Sequence, residues 1–496
     1  MIGDPPDLIA KRAMLQGGRV ALEDSATGRT LTYAELDSRA GRAAGMMESL
    51  GVGEGDRVAI LSRNRTEFFE ILFACAKLGA ILVPLNWRMP AAELNGLVAD
   101  AAPSLIFHGA EEAAAADALA LPAKVDLDGD YEERLAAAPV RRWRARWPAD
   151  GIWYLIYTSG TTGQPKGVIY TFRMALANYV NIGGAIRLTG TDTTLAFLPV
   201  FHTAGINLHA LPTLIAGGRV IVMDGFDRDR IVALLEGRRL DTVFGVPTVY
   251  QGLLEHPRFA AAPLEHVRHW GCGGAPLPDA VALACPDLGI RLCAGMGMTE
   301  TGPTAFLVDP AEAWTRIGSV GRPQLLCSAR IVGKDGLEAK AGEVGELQFA
   351  GPAITPGYWR NPEATAAAFT ADGWLISGDL ARCDGDGVFW IAGRHKEMFI
   401  SGGENVYPAE VENVLAAHPG VVDAAVLAET DPKWGEVGRA FVQLAQGGSR
   451  PAPGELQDFC RARLAPYKVP RRFDFVAEFP RTSAGKIQKH LLAQGL

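Results

Sequence analysis

The chain has 496 residues, 48% hydrophobic and 21% charged, which is ordinary for a globular protein and long enough for more than one domain. A net charge of −8 argues against nucleic acid or an anionic membrane as the main partner, though it leaves room for a local basic groove. Cys75, Cys272, Cys285, Cys293, Cys327, Cys383 and Cys460 show no C-x-x-C spacing, against structural zinc or a disulfide framework. No leader pattern opens the chain and no apolar run is long enough to cross a membrane, so a cytoplasmic protein is expected.

Thr32 with Glu35 three residues later reads as a capping box. Leu36, Ala40, Ala43, Ala44 and Met47 follow at helical spacing. Residues 57–61 form a strand, 67–78 a helix and 80–85 a strand, a βαβ rhythm that implies a parallel sheet. Residues 91–101, 104–108 and 110–120 continue it less clearly. The stretch 121–150, with Arg141, Arg142, Arg144 and Arg146, reads as a solvated connection. The alternation resumes as a second sheet: a helix over 173–186, a strand over 194–199, then 219–223, 228–236 and 241–246 as strand, helix and strand. A helix over 279–284 and a short strand over 291–294 follow. From about 320, short strands with Gly turns (329–332, 345–349, 388–391) suggest a β-rich subdomain. After Arg394 a further unit of about 100 residues is expected, with a helix over 409–417, a strand over 421–427 and a helix near 455–464.

The most informative stretch is Tyr157-Thr158-Ser159-Gly160-Thr161-Thr162-Gly163-Gln164-Pro165-Lys166-Gly167. An apolar run, 152–157, leads into it as a buried strand. Glycines let backbone N–H groups approach an anion, hydroxyls add donors or a cation contact, and Lys166 adds charge, which together suit polyphosphate. A Walker A loop does not fit, because Pro165 and Gly167 occupy the positions of its second Gly and its Ser/Thr.

The loop resembles the phosphate loop of the acyl-adenylate-forming enzymes, and five further stretches fall in that family's order across roughly residues 30–490. In detail, Ser401-Gly402-Gly403-Glu404-Asn405-Val406-Tyr407-Pro408 is similar to the free-standing fatty- and aryl-acyl-CoA synthetases. The resemblance implies that Thr158, Ser159, Gly160, Thr161, Thr162, Gly163 and Lys166 hold ATP phosphates. Gly273, Gly274, Ala275 and Pro276 would lie along the adenine, with Ala294, Gly295, Met296, Gly297, Met298, Thr299 and Glu300 completing the cleft. Met296 stands where the family commonly has an adenine-stacking tyrosine; a thioether can pack on a purine. Thr162 and Glu300 would hold Mg²⁺, and oxygen ligands suit that hard cation. Asp379 would accept both ribose hydroxyls and Arg394 would touch ribose and phosphate. Lys486 would bridge the carboxylate and the α-phosphate. With Glu300, Thr162, Lys166 and His202 it makes the expected catalytic set.

His202 would gate the acyl pocket, with Thr203, Gly205, Phe244, Val246, Cys272 and Gly297 as walls. These are apolar or small, with no evident Arg or Lys for a second carboxylate, which favours a medium-chain or aromatic monocarboxylic acid. Ser401, Gly402, Gly403, Glu404, Trp434 and Tyr467 would meet CoA. Read one at a time these residues have plainer roles: Asp379 as a turn residue, Arg394 and Lys486 as solvated cations, Trp434 and Tyr467 as core aromatics.

The implied fold is α/β: a large N-terminal domain (1–394) of two α/β sheets and a β subdomain, and a small mobile α+β domain (395–496) hinged near Lys396. The implied chemistry is acid–CoA ligation through acyl-AMP, using ATP, Mg²⁺ and coenzyme A, by a monomer or homodimer. The rivals are acyl transfer to a carrier protein in trans, a luciferase-type oxidase and a non-catalytic nucleotide-binding relative.

Overall fold

The computed structural model describes residues 2–139, 144–158, 165–402, 404–445, 450–482 and 486–493. Among the described residues the strands form four sheets. The first runs, edge to edge, Lys124–Asp126, Leu105–His108, Arg57–Leu61, Ile81–Pro84, Ile152–Thr158 and Lys166–Thr171. All its pairs are parallel except the last, an antiparallel hairpin. The phosphate-type loop is the connection of that hairpin, so its two ends are fixed by Thr158 pairing with Lys166.

The second sheet has a parallel centre: Leu292–Met296, His269–Cys272, Thr242–Gly245, Thr193–Ala196, Arg219–Val222 and Val20–Asp24. Antiparallel strands extend both edges. Helices Tyr33–Ser49, Thr66–Leu78 and Ala210–Ala216 contribute to one apolar core shared with both sheets. Thr66–Leu78 is buried on every face from Thr66 to Lys77, and its one lysine, Lys77, bonds Asp7 (2.7 Å) and Asp37 (2.6 Å). The Thr32–Glu35 capping box forms: Thr32 N–H donates to Glu35 Oε2 (2.7 Å) and Glu35 N–H to Thr32 Oγ1 (3.2 Å).

A four-stranded antiparallel meander follows, made of Ser328–Val332, Gly345–Ala350, Leu375–Cys383 and Phe389–Arg394. The last sheet holds Phe399–Ser401, Glu404–Val406, Val421–Asp431, Gly435–Leu444 and Arg472–Val476 around its own apolar core. Residues 395–397 form the turn between these two sheets.

The structure corrects two expectations and adds elements at two places where none was expected. Residues 121–150 are not merely a solvated connection. They supply the edge strand Lys124–Asp126 and the helix Tyr131–Ala137, and Trp147 is fully buried against Trp153 and Phe172. The first thirty residues add a helix and two strands to the second sheet. A helix, Pro247–Leu254, follows the strand that was expected to end at Pro247, which takes the first helical position. The short strands expected at 291–294 and 421–427 run further, as Leu292–Met296 and Val421–Asp431.

Candidate functional site

The parallel strands of the second sheet end together at Ala196, Gly245, Cys272 and Met296. Ligands of open α/β sheets bind at such carboxyl ends. The expected adenine segment leaves the strand there, with Gly273 and Gly274 following Cys272. Gly274 has φ +84°, a left-handed turn that glycine adopts without steric cost. A side chain on Gly273 would lie 3.1 Å from the Gly295 carbonyl, so the two glycine segments pack backbone to backbone. Ala275 and the stretch from Ala294 to Thr299 are half-buried, Gly274 and Pro276 exposed, the profile of a cleft rim. Met296 and Met298 pack partly on the core of the meander.

Glu300 sits in a short 3₁₀ turn, Thr299–Thr301, and is buried. Its Oε1 accepts from the Tyr358 hydroxyl (2.9 Å), and the Lys166 ammonium stands 5.1 Å from the Tyr358 ring. The segment around Tyr358 pairs with the Lys166–Thr171 strand, so the phosphate-loop lysine and Glu300 are joined through one tyrosine. Tyr358 was not singled out from sequence. Tyr170 is a second such residue. Stacked 4.8 Å from Tyr154, its hydroxyl reaches the Thr299 carbonyl and Thr203 Oγ1, both at 2.5 Å. Asn207 completes the link, bonding Thr203 and Tyr154. A satisfied buried network of this kind fixes the Glu300 turn relative to the acyl-pocket wall.

Asp379 and Arg394 face each other across adjacent strands, and the guanidinium Nε is 2.8 Å from Asp379 Oδ1. Burial raises the Asp379 pKa, and Arg394 and Lys486 oppose that. We expect Asp379→Ala to raise the KM for ATP roughly 10- to 100-fold, since hydrogen bonds to a charged group are worth about 1.5–3 kcal/mol. A KM unchanged in steady-state assays would remove Asp379 from the ribose role.

Lys486 is exposed to solvent, yet protein crowds it enough that desolvation is the first influence lowering its pKa. Arg394 acts in the same direction, against Asp379, Glu300 and Glu397. Contact with water acts against that desolvation and favours the charged ammonium. Its backbone is held by Thr482, in both directions across the loop. His202 is half-buried, and its pKa falls to about 4 through desolvation, then Arg88 and Lys486. A neutral imidazole of such weak basicity suits a positional role better than proton transfer. Arg88, over the Trp87 ring at 4.3 Å, corrects the expectation that no Arg or Lys comes near this pocket.

The residues expected to wall an acyl pocket differ in burial. Thr203, Gly205, Phe244 and Cys272 are buried, Val246 and Gly297 half-buried. A side chain on Gly205 would run into the Pro199 carbonyl, and one on Gly297 into that of Pro303. Of the CoA candidates, Gly402 and Trp434 meet: Gly402 N–H donates to the Trp434 carbonyl (2.9 Å), and the indole covers the Gly402 backbone. Lys433 and Arg471 lie 5.1 and 5.8 Å from that ring. Ser401 is buried beside them and Glu404 exposed. Tyr467 instead packs half-buried on the core of the last sheet. Ser159, Gly160, Thr161, Thr162, Gly163 and Gly403 lie outside the described residues.

Trp434→Ala is expected to raise the KM for CoA several-fold while leaving ATP–pyrophosphate exchange alone. An equal fall in both would make Trp434 a packing residue.

Residues 9–359 match the family model of AMP-binding enzymes, and residues 410–486 that of the AMP-binding enzyme C-terminal domain. The chain is 42% identical to a feruloyl-CoA synthase of Amycolatopsis sp. over 93% of each chain. It is 37% identical to an indoleacetate–CoA ligase of Aromatoleum aromaticum over 97% of this chain and 96% of that protein. The structure is similar to o-succinylbenzoate CoA synthetase of Bacillus subtilis in complex with its acyl-adenylate intermediate. There the TM-score is 0.90 at 31% identity, over 99% of this chain and 98% of that one.

Proposed function

The chain belongs to the adenylate-forming superfamily, in its acyl-CoA synthetase branch, and from that premise we propose that it activates a carboxylic acid, aromatic in preference to medium-chain, Arg88 having removed the ground for excluding a second carboxylate. It is an AMP-forming acid–CoA ligase that uses ATP and CoA. In the first half-reaction a substrate carboxylate oxygen attacks the α-phosphate of ATP, giving acyl-AMP and releasing pyrophosphate. In the second the CoA thiol attacks the acyl carbon, AMP leaves and the thiol proton is lost to solvent.

The observation that carries this reading is the position of Lys486. It shares one electrostatic neighbourhood with Asp379, Arg394, Glu300 and His202, so groups from the meander, the second sheet and the C-terminal segment meet at one cleft. Glu300 offers a buried carboxylate that fits Mg²⁺, which takes few protein ligands and completes its shell with phosphates, and Thr162 would be the second protein ligand. When bound, the ion offsets charge on the pyrophosphate leaving group. We divide the chain at about residue 394, with Lys396 as hinge. The walls that favour an aromatic acid are Phe244, Cys272 and the glycines, and two relatives named for aryl acids support that choice.

A panel of acids assayed for ATP- and CoA-dependent AMP release tests the reading. AMP release with aryl carboxylic acids is expected. The reading fails if no acid supports it, and carrier transfer replaces it if acyl-AMP forms but CoA is not acylated.

A further inference from the structure

Behind the acyl-pocket residues the second sheet carries a buried polar layer that neither half-reaction uses. Alternate residues of a strand share a face. The register pairs Thr242 with Thr194 and His269, and Phe244 with Gly271, so Thr194, Thr242 and His269 stand in one row beside Phe244. His209, just before the Ala210–Ala216 helix, reaches that row: its Nδ1 lies 3.2 Å from the Thr194 hydroxyl and 3.3 Å from that of Thr242. Its ring meets Phe244 edge-on, with centroids 5.6 Å apart, and lies 6.1 Å from His269.

Both imidazoles are buried, and desolvation lowers their pKa values to about 3 for His209 and about 4 for His269, so both are neutral near pH 7. His209 Nε2 and both ring nitrogens of His269 have no hydrogen-bond partner among the described residues. Buried polar atoms are rarely left so, and such groups call for a ligand or water oxygen. A cavity of about 10 Å³ lies against His209, and its other walls include Gly205 and Phe244, two of the acyl-pocket residues. That is room for about one oxygen atom.

Resting on the acid–CoA ligase reading above, we propose that His209 seats a neutral hydroxyl at the end of the acid remote from its carboxylate, a phenolic hydroxyl on an aryl ring. A hydroxyl both donates and accepts, so it satisfies Nε2 of His209 in either tautomer. A second carboxylate does not suit the row: neutral imidazoles and threonines give it no compensating charge. A plain aryl or alkyl end would leave Nε2 of His209 unpaired. The aryl carrier is that of the reading on which this rests; Phe244 borders the same cavity and lies against Gly271 and Gly273, where side chains would stand 2.8 and 3.3 Å from its ring. The two glycines are what lets the buried Phe244 ring lie against the cavity wall.

The test uses matched acids that differ only in the hydroxyl, at three lengths: 4-hydroxybenzoate and benzoate, 4-hydroxyphenylacetate and phenylacetate, 4-hydroxycinnamate and cinnamate. AMP release gives kcat/KM for each with the wild type, His209→Leu and His209→Gln. For the pair whose length fits, the wild type should favour the hydroxylated acid at least about tenfold, because a site built to bond a hydroxyl discriminates strongly against its absence. His209→Leu should bring that ratio to about one, and His209→Gln, which keeps a hydrogen-bonding amide, should restore part of it. Turnover of the unsubstituted acid reports that each variant is folded. If acids are turned over but no pair shows a preference, or His209→Leu leaves the ratio unchanged, the seat is refuted while the ligase reading stands. If no acid of any panel supports AMP release, the ligase reading falls and this one with it.

Discussion

Lys486→Ala should lower acyl-AMP formation about 10²–10³-fold or more and still convert supplied acyl-AMP and CoA to acyl-CoA. In the first half-reaction a carboxylate must approach the anionic α-phosphate. Two unit charges 4 Å apart repel by about 4 kcal/mol at an effective dielectric constant of 20. A cation between them removes that penalty only in the first step; attack of a thiol on the mixed anhydride brings no such anion to the α-phosphate. The loop that carries Lys486 is tied down on both sides. Arg481 bonds Asp423 (2.5 Å) before it, and Lys489 bonds Glu397 (2.5 Å) and Glu412 (2.8 Å) after it. The alanine variant therefore keeps the loop anchors, and its loss reports the ammonium. The two half-reactions are assayed separately, by pyrophosphate exchange and by thioester formation from acyl-AMP. A parallel loss of both in a folded variant would deny Lys486 a step-specific role.

Local chemistry was the legible part of this chain. The Thr32–Glu35 box, the apolar strand over 152–157 and the helix over 228–236 depend on neighbours a few residues away, and they stand where the sequence puts them. What was hidden depends on distant pairing. Val20–Asp24 lies beside Arg219–Val222, some two hundred residues on, and no local pattern announces that partner. Trp147 follows a run of arginines whose composition suggests solvent, yet it packs 5.0 Å from Phe172. The same holds in the candidate site. Motif residues such as Asp379, Glu300 and Lys486 were readable because their spacing resembles a family. Tyr358, Tyr170, Arg88 and the His209–His269 row were not: each is a single polar residue in an ordinary stretch, brought to the cleft by sheet register and loop path.

Lys396→Pro should do the reverse of the lysine variant: acyl-AMP forms, and thioester formation collapses. In the structure Lys486 shares the field of Asp379, Arg394 and Glu300, the arrangement expected for the first half-reaction. The CoA candidates Gly402 and Trp434 lie in turns between strands of the last sheet, beyond the 395–397 turn. Bringing that sheet's face to the acyl carbon while Lys486 occupies the same cleft would crowd two functions into one place. A rigid-body rotation about a short hinge resolves this. The turn has the build of such a hinge: Arg394 to Glu397 are exposed, and the turn is closed by the N–H groups of Glu397 (3.0 Å) and Met398 (3.1 Å) donating to the Arg394 carbonyl. Those two donors survive the substitution. Proline would instead hold φ of residue 396 near −65° and restrict residue 395, so a large dihedral change there is no longer available. Lys396→Ala is the control, removing the side chain while leaving φ free, and should support both half-reactions. Separate assays on the three proteins decide the matter. If the proline variant makes thioester from acyl-AMP at the rate of the alanine variant, rotation at this residue is not part of the cycle. If both variants lose thioester formation alike, the lysine side chain rather than backbone freedom is what the second step requires.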